Sequence, residues 1–291
     1  LPQYFWKRFP EMERSMPSIQ DRTLDLAGQT YAWKELGEGE PLLLVHGITT
    51  WSFIWEGMMP LLAGRFRVLA LDLLGCGRSS KPLDVSYALK DHAERIPRFL
   101  DALGIDRVHY VGHDLGGGIG QILAVRHPGR VLDLALVNSV AYDFWPVQPI
   151  IAMRTPIVRE LAMASLDLGT FRLIIKRALH HKNLLTDELL ERFRLPLATA
   201  EGRKAFLHFA HCLNNRDLMD IETNLRNLSL PVLIVRGQAD PYLSSAISEK
   251  LSREIPGARL LAVPTGGHYL MLDEPALLAG EILRFIGGAH G

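Results

Sequence analysis

Three residues that could carry out nucleophilic catalysis lie far apart in this chain: Asp114, Asp240 and His268. Asp114 stands at the centre of the segment Gly112-His-Asp-Leu-Gly116, directly after an apolar run. A nucleophile on a sharp turn from strand to helix has a strained backbone, so bulk two residues before or after it would clash. A carboxylate is ionised at neutral pH and attacks without a base to deprotonate it. The segment therefore predicts that Asp114 is a nucleophile.

Two simpler interpretations of Asp114 compete with this one. Aspartate is a favoured residue at the first position of a helix, where its side chain caps backbone N–H groups. A glycine-rich turn can also bind a dinucleotide, but the glycines around Asp114 do not follow the G-x-G-x-x-G spacing. The dinucleotide interpretation is therefore discounted, whereas helix capping stays open for this segment taken alone.

Asp240 and His268 supply the partners that a catalytic set requires. Asp240 follows the apolar run Val232–Val235, and His268 follows the last such run, Leu260–Val263. An acid that hydrogen-bonds a histidine orients the imidazole as a general base. Taken singly, Asp240 is explained as a turn residue before a proline and His268 as an isolated loop histidine. Three such residues at strand ends favour a catalytic set.

The elements that must position these residues follow from hydrophobic periodicity. Short continuous apolar runs separated by helical patterns indicate buried parallel strands joined by crossover helices. The predicted strands are Leu42–Val45, Val68–Leu71, Val108–Val111, Leu132–Val137, Val232–Val235 and Leu260–Val263, after a hairpin of Thr23–Ala27 and Tyr31–Leu36 around Gly28-Gln29. The predicted helices are Leu89–Leu103, Gly116–His127, Ser244–Ile255 and Pro275–Ile286. The fold class is α/β, with a doubly wound, mostly parallel sheet.

One part of the chain interrupts this alternation. Between about residues 142 and 227 the sequence has helix-like apolar spacing, several prolines and no clear strand. A helical block between two strands of such a sheet is typical of a lid. We expect a core in two parts, residues 1–141 and 228–291, with a helical lid at 142–227 and an N-terminal arm at 1–20.

These residues resemble the α/β-hydrolase superfamily over nearly the whole chain. The matching motifs are His46-Gly47, Asp72-Leu-Leu-Gly-Cys-Gly-Arg-Ser-Ser80, Gly112-His-Asp-Leu-Gly-Gly117, Asp240 and His268. The chain order of nucleophile, acid and histidine is the one expected for this superfamily. Aspartate at the turn is similar to the branch of haloalkane dehalogenases, haloacid dehalogenases and epoxide hydrolases.

The resemblance implies a two-step mechanism without a cofactor. Asp114 would attack an sp³ carbon and form an alkyl-enzyme ester, and a water activated by His268 would then hydrolyse that ester. Asp240 would orient His268. The backbone N–H groups of Ile48 and Leu115 would form the oxyanion hole.

The sequence departs from each enzyme type within that branch, so the type stays open. Leu115 stands where haloalkane dehalogenases usually carry tryptophan, and no tyrosine occurs between Asp143 and Pro241, where epoxide hydrolases carry lid tyrosines. Arginines that would grip a haloacid carboxylate are missing after Asp114. The candidate residues for a pocket that holds the substrate or leaving group are Trp51, Trp55, Tyr142, Trp145 and Tyr269.

We consider two other classes of function. An ester or lactone hydrolase of the same fold would use Asp114 differently, although a carboxylate that attacks an ester gives a reactive anhydride. A non-catalytic sensor would bind a small molecule without turnover. Fold alone does not decide between these functions.

Composition excludes several kinds of partner. Lys plus Arg and Asp plus Glu both number 32, so no charge excess favours nucleic acid. No apolar run predicts a membrane span, and no His, Cys or carboxylate spacing predicts a metal site. Two distant cysteines predict a reducing, cytoplasmic location. We expect a small-molecule substrate, and a homodimer is left open because the arm could pack on a partner subunit.

Overall fold

A single eight-stranded sheet organises the computed structural model, which describes residues 18–143, 150–151, 154 and 169–289. The strands are β1 Gln20–Leu26, β2 Gln29–Leu36, β3 Glu40–Val45, β4 Phe66–Asp72, β5 Val108–Asp114, β6 Val131–Ser139, β7 Val232–Gly237 and β8 Arg259–Val263. Their order is β1-β2-β4-β3-β5-β6-β7-β8, and only the pairs that include β2 are antiparallel. The predicted α/β class with a mostly parallel sheet is confirmed.

Helices connect these strands, and we number those of the described residues in chain order. The α-helices are α1 Met59–Leu62, α2 Leu89–Ala102, α3 Leu115–Arg126, α4 Phe171–Ala178, α5 Asp187–Arg194, α6 Ala200–Cys212, α7 Arg216–Met219, α8 Glu222–Leu225, α9 Ser245–Glu254, α10 Leu270–Asp273 and α11 Pro275–Ala289. Short 3-10 helices occur at Ser52–Trp55, Lys182–Leu184 and Leu195–Leu197. No helix in these ranges is long and apolar enough to cross a bilayer.

The predicted strands and the four predicted helices all coincide with observed elements, with ends that differ by up to three residues. The turn of the first hairpin is one residue earlier than predicted. Leu26 pairs with Gln29, so the turn is Ala27-Gly28, and Gln29 already belongs to β2. Both turn residues have positive φ, 53° and 78°, as the tight hairpin turn that matches strand twist requires.

The central strands β3, β5 and β6 are buried because helices pack against them, and their apolar runs reflect this burial. Helix α3 packs against β5 and β6 through a face of small residues. A Cβ atom at Gly117 would lie 2.2 Å from Ser139 Oγ, and one at Gly120 would lie 2.4 Å from the Tyr110 ring. Glycine at these positions brings the helix close to the sheet beneath the candidate nucleophile.

Residues 140–231, which we call the insertion, separate β6 from β7. Its described residues contain helices α4 to α8 and no strand. The division into core and lid at residues 142 and 227 stays a prediction. Residues 1–17, which make up most of the predicted arm, and the candidate pocket residue Trp145 lie outside the described residues.

Candidate active site

The connection between β5 and α3 places Asp114 on a sharp turn. The strand ends at Asp114 and the helix begins at Leu115, so no loop residue separates the two elements. Asp114 has φ 52° and ψ −117°, a strained conformation for a residue with a side chain. Its side chain makes no capping hydrogen bond to α3. The helix-capping interpretation therefore does not account for Asp114.

Close backbone packing holds this turn. A Cβ atom at Gly116 would lie 2.2 Å from the carbonyl oxygen of Val45, at the end of β3. One at Gly112 would lie 2.4 Å from the carbonyl oxygen of Gly116. One at Gly47 would lie 2.3 Å from Asp114 Oδ2. Since no side chain fits at these three positions, glycine allows the turn, α3 and the loop after β3 to meet.

The Asp114 carboxylate lies in a pocket of backbone N–H groups. The N–H of Ile48 donates to Asp114 Oδ2 over 3.1 Å, and the N–H of Leu115 lies near enough to the carboxylate to lower its pKa. These are the two groups predicted to form an oxyanion hole. In this structure the pocket holds an oxygen of the candidate nucleophile itself.

Burial gives Asp114 unusual acid–base behaviour. Loss of hydration raises the pKa of its carboxyl group from the usual 3.8 to about 6, although nearby His268 and the two N–H groups oppose the rise. The carboxylate is still mostly ionised at neutral pH. Loss of hydration would make this carboxylate a more reactive nucleophile than a surface aspartate.

Asp240 and His268 meet at the ends of β7 and β8. His268 Nδ1 lies 3.0 Å from Asp240 Oδ2, and both side chains are buried. Because an ionised carboxylate only accepts hydrogen bonds, Nδ1 carries the proton and Nε2 is left as the basic nitrogen. Burial opposes protonation of His268, but the carboxylates of Asp240 and Asp114 raise its pKa above the ordinary value.

Asp240 is held by donors on every side. Its Oδ1 accepts the backbone N–H groups of Tyr242 over 2.8 Å and Leu243 over 3.2 Å. Its Oδ2 accepts Arg236 Nη1 over 3.1 Å in addition to His268. Burial works against ionisation, yet these donors hold the pKa of Asp240 below its ordinary value. The acid is therefore a fixed negative charge beside the imidazole.

Sequence reasoning missed Asn138, which joins β7 to residues 264–269, the loop that carries His268 and that we call the histidine loop. Its amide nitrogen donates to the carbonyl oxygens of Gly267 over 2.8 Å and His268 over 2.9 Å. Its Oδ1 accepts the N–H of Gly237 over 2.9 Å. The one sign of this role in the sequence was a polar residue directly after the apolar run of β6.

Asp273 was also missed, and it ties the insertion to the histidine loop. Its Oδ2 accepts the N–H groups of Gly267 and His180, each over 2.9 Å, and its Oδ1 accepts that of His181 over 2.9 Å. The N–H of His268 in turn donates to the carbonyl oxygen of Ala178 over 2.7 Å. The segment after α4 is thus bound directly to the loop that carries His268.

His113, beside Asp114, supports the same loop. Its Nε2 lies 3.0 Å from the carbonyl oxygen of His268, and the two ring centroids are 4.8 Å apart. Burial lowers the pKa of His113 well below its ordinary value. His113 is therefore neutral and donates from Nε2 to the His268 carbonyl.

The candidate pocket residues divide into two groups. Tyr269 lies at the candidate triad of Asp114, Asp240 and His268: its ring centroid is 5.0 Å from that of His268, and its hydroxyl is 3.3 Å from Thr49 Oγ1. Trp51 lies under the insertion and donates its indole N–H to the carbonyl oxygen of Arg192 over 2.9 Å. Its N–H group is therefore already engaged.

The other two described candidates have different surroundings. Trp55 is fully buried, and its indole nitrogen has no hydrogen-bond partner among the described residues. The Tyr142 ring lies 3.8 Å from Lys250 Nζ, so the structure places it against α9. The described residues contain no cluster of three or more potential metal ligands.

Comparisons with known proteins agree with this architecture. Residues 40–275 match the family of proteins with the alpha/beta hydrolase fold. Because the match spans most of the chain, the protein belongs to the α/β-hydrolase family. It is a hydrolase.

Its relatives include hydrolases of different kinds. Haloalkane dehalogenase 2 of Mycobacterium tuberculosis is 28% identical over 282 residues, which cover 92% of this chain and 96% of the relative. The 2-hydroxymuconate semialdehyde hydrolase of Pseudomonas putida is 31% identical over 280 residues, 92% of this chain and 94% of the relative. A loop variant of haloalkane dehalogenase DbeA from Bradyrhizobium elkanii superimposes with a TM-score of 0.81 at 26% identity, covering 94% of this chain and 100% of that one.

Proposed function

We propose that the protein hydrolyses a small, mostly apolar substrate by nucleophilic substitution at an sp³ carbon, with Asp114 as the nucleophile. The bond that breaks is a carbon–halogen bond or an epoxide carbon–oxygen bond. The enzyme would use a covalent alkyl ester of Asp114 and no cofactor. The similarity to haloalkane dehalogenases supports the carbon–halogen bond.

One observation carries this proposal: Asp114 Oδ2 occupies the pocket formed by backbone N–H groups, 3.1 Å from the N of Ile48. In an ester hydrolase that pocket would have to receive the carbonyl oxygen of the substrate. Here it receives an oxygen of the enzyme, whose own carbonyl would become the oxyanion when an Asp114 ester is hydrolysed. The arrangement suits attack on an ester formed at Asp114.

The first step requires only the carboxylate. With Oδ2 held in the pocket, Oδ1 bonds to the substrate carbon as the bond to the leaving group breaks. The electron pair of that bond departs with the halide or the epoxide oxygen. The hydroxyl pair of Tyr269 and Thr49 would stabilise this leaving atom, because two hydroxyls that share one hydrogen bond still have one proton to donate.

The second step requires His268. Its Nε2 takes a proton from a water whose oxygen bonds to Asp114 Cγ, and the negative charge moves to Oδ2 in the N–H pocket. Collapse breaks the bond between Cγ and Oδ1, and the departing alcohol oxygen takes the proton from His268. The second proton of the water stays on the new carboxyl group of Asp114, and its release, to solvent or to the alkoxide of an opened epoxide, restores the carboxylate. Asp240 keeps the proton of His268 on Nδ1 throughout.

Two alternatives remain distinct from this proposal. An ester, lactone or related hydrolase is favoured by the similarity to the 2-hydroxymuconate semialdehyde hydrolase. A non-catalytic sensor would need the pocket but not the strained carboxylate. The homodimer and the cytoplasmic location stay predictions from the sequence.

Trapping the ester would test the proposal. The His268→Ala variant, checked for folding by circular dichroism, is exposed to haloalkanes, haloacids, epoxides and simple esters, and its intact mass is measured. We expect a stable adduct that maps to Asp114. A halide substrate adds only its alkyl group, whereas an epoxide adds its full mass, so the mass distinguishes loss of a halide from opening of an epoxide.

Matched variants control this experiment. His211 lies exposed on α6, and His211→Ala should turn over substrate like the wild type without accumulating an adduct. Adding Asp114→Asn to His268→Ala should abolish the adduct. Ester turnover by the wild type with no adduct in the variant would support the ester hydrolase. Ligand binding without any reaction, retained in Asp114→Asn, would support the sensor.

A further inference from the structure

Arg236 is a buried cation attached to the candidate triad. It belongs to β7, and its side chain reaches the residue four positions later in the chain, Asp240. Nη1 donates to Asp240 Oδ2 over 3.1 Å, and Nη2 donates to the backbone carbonyl oxygen of Asp240 over 3.3 Å. The Arg236 side chain is 9% exposed and that of Asp240 is 0% exposed.

The arginine and the catalytic histidine share one acceptor atom. His268 Nδ1 also binds Asp240 Oδ2, over 3.0 Å, while Oδ1 accepts two backbone N–H groups. A guanidinium is charged at every pH at which proteins fold. Arg236 therefore withdraws negative charge from the oxygen that would otherwise stabilise a protonated His268.

The hydrogen bonds of Arg236 do not account for its burial by themselves. Its Nε is buried and has no partner within the described residues. Burying a guanidinium with an unsatisfied N–H group opposes folding, and the cost is offset only partly by the ion pair. A residue selected only for packing would avoid this cost. We therefore attribute the arginine at this position to its positive charge beside Asp240.

Building on the proposed function, we infer that Arg236 is a positioning residue that keeps His268 unprotonated, and so able to act as a base, when the Asp114 ester is hydrolysed. Alkylation removes the charge of Asp114. The charged groups that then face the imidazole are Asp240 and Arg236, which have opposite signs. Without Arg236, the lone negative charge of Asp240 would favour the protonated imidazole, which cannot accept a proton from water.

The other groups around His268 do not supply this compensation. His113 is kept neutral by burial, and the phenols of Tyr242 and Tyr269 are neutral because burial raises the pKa of each. Within the surroundings of His268, Asp240 raises its pKa and Arg236 lowers it. The geometry of the shared Oδ2 atom explains both effects.

The test compares two substitutions at one position. Arg236→Gln removes the charge, and Arg236→Lys keeps it. The titration of the His268 imidazole is followed by NMR in both variants and in the wild type, with labelled histidine. We expect Arg236→Gln to raise the His268 midpoint by about one pH unit. Arg236→Lys should leave it within about 0.3 unit of the wild type, as should the matched control Arg226→Gln, whose arginine is 61% exposed and pairs with Glu254.

A kinetic readout accompanies the titration. The hydrolysis rate of the Asp114 ester is measured in a single turnover from pH 5 to pH 10. The midpoint of the fall in rate on the acid side should lie about one pH unit higher in Arg236→Gln than in the wild type. A purely structural role would lower the plateau rate and leave the midpoint unchanged, which would overturn the inference. If Arg236→Gln fails to fold, a midpoint shifted by about one unit in Arg236→Lys would overturn it equally.

The two readouts separate this inference from the proposed function. The NMR titration does not depend on covalent catalysis. If no ester forms at Asp114 but the His268 midpoint moves as expected, Arg236 controls the imidazole and the proposed reaction is wrong. If the ester forms and the midpoint is unmoved, the reaction stands and the inference about Arg236 fails.

Discussion

The turn that carries Asp114 (residues 112–116) and the histidine loop are held in place by different interactions. At the turn, backbone packs on backbone. A Cβ atom would lie 2.4 Å from a carbonyl oxygen at Gly112 and 2.2 Å from one at Gly116. At the histidine loop, polar side chains make the connections: Asn138 and Asp273 together make hydrogen bonds to three segments of the chain. The comparison suggests that the turn is sensitive to added volume, whereas the loop is sensitive to the loss of an acceptor or donor.

The turn also stores free energy that the loop does not. Asp114 combines a strained backbone with a carboxylate whose pKa burial raises to about 6. Asp240 is equally buried, but its donors keep its pKa low. Hydrogen bonds thus offset the burial of Asp114 only in part. Those of Asp240 offset its burial fully, so Asp240 is a fixed negative charge.

The largest effect on stability is expected from added volume at the turn. In Gly116→Ala the new methyl group would lie 2.2 Å from the Val45 carbonyl oxygen, so β3 and α3 must separate. We expect the free energy of unfolding to fall by about 3 kcal/mol, measured by urea denaturation, with loss of turnover. Gly64→Ala is the control, because nothing lies within 4 Å of its Cβ position, and it should change stability by less than about 0.5 kcal/mol. Equal effects of the two substitutions would contradict the steric account.

A second prediction concerns the buried charge of Asp114. Its native pKa of about 6 exceeds the usual 3.8, so the native state binds a proton more tightly than the unfolded state does. Stability is therefore lost as pH rises from about 4 to about 6. Asp114→Asn cannot ionise and avoids this loss. We expect it to abolish turnover and to be more stable than the wild type at pH 7.5 by about 1–3 kcal/mol.

The pH dependence provides the control for that measurement. At pH 4 the wild-type carboxyl group is mostly protonated, so the stability gain of Asp114→Asn should largely vanish. Asp106→Asn, at an exposed position, should change stability by less than about 0.5 kcal/mol at either pH. A gain that is equal at both pH values would point to relief of packing strain and not to the charge.

The smallest effect is expected from removing acceptors in the histidine loop. Asp273→Asn keeps the size of the side chain, but its amide N–H group would face a backbone N–H donor of His180, His181 or Gly267. We expect a loss of about 1–2 kcal/mol of stability and a turnover about tenfold lower. The Asp114 ester should accumulate, because misplacement of His268 slows the second step. Asp187→Asn is the control, since its side chain is 90% exposed. An unchanged ester level in Asp273→Asn would show that the loop is held in place without this acceptor.

Much of the fold could be predicted because its signals are local. Continuous apolar runs such as Val108–Val111 predict buried strands wherever they occur, and glycines around Asp114 predict a turn from their spacing alone. Turn geometry was less predictable. The first hairpin turns at Ala27-Gly28 because Leu26 pairs with Gln29, and register depends on pairing across the whole hairpin.

The candidate pocket could be predicted only in part, because proximity in space depends on side-chain direction. Tyr269 lies against His268 as expected from its place beside it in the chain. Trp51 and Tyr142 are equally aromatic, yet one donates to Arg192 and the other packs on Lys250. Residue type alone did not distinguish these environments.

The sequence by itself determined the strands, the helices between them and the identity of Asp114, Asp240 and His268 as candidates, because residue type and periodicity carry that information. Only the tertiary structure decided that Asp114 Oδ2 fills the N–H pocket and that Arg236 shares an acceptor with His268. These contacts join segments up to 66 residues apart or depend on the direction in which a side chain folds back. They form only when the sheet brings the ends of its strands together, and a local sequence pattern does not predict which ends will meet.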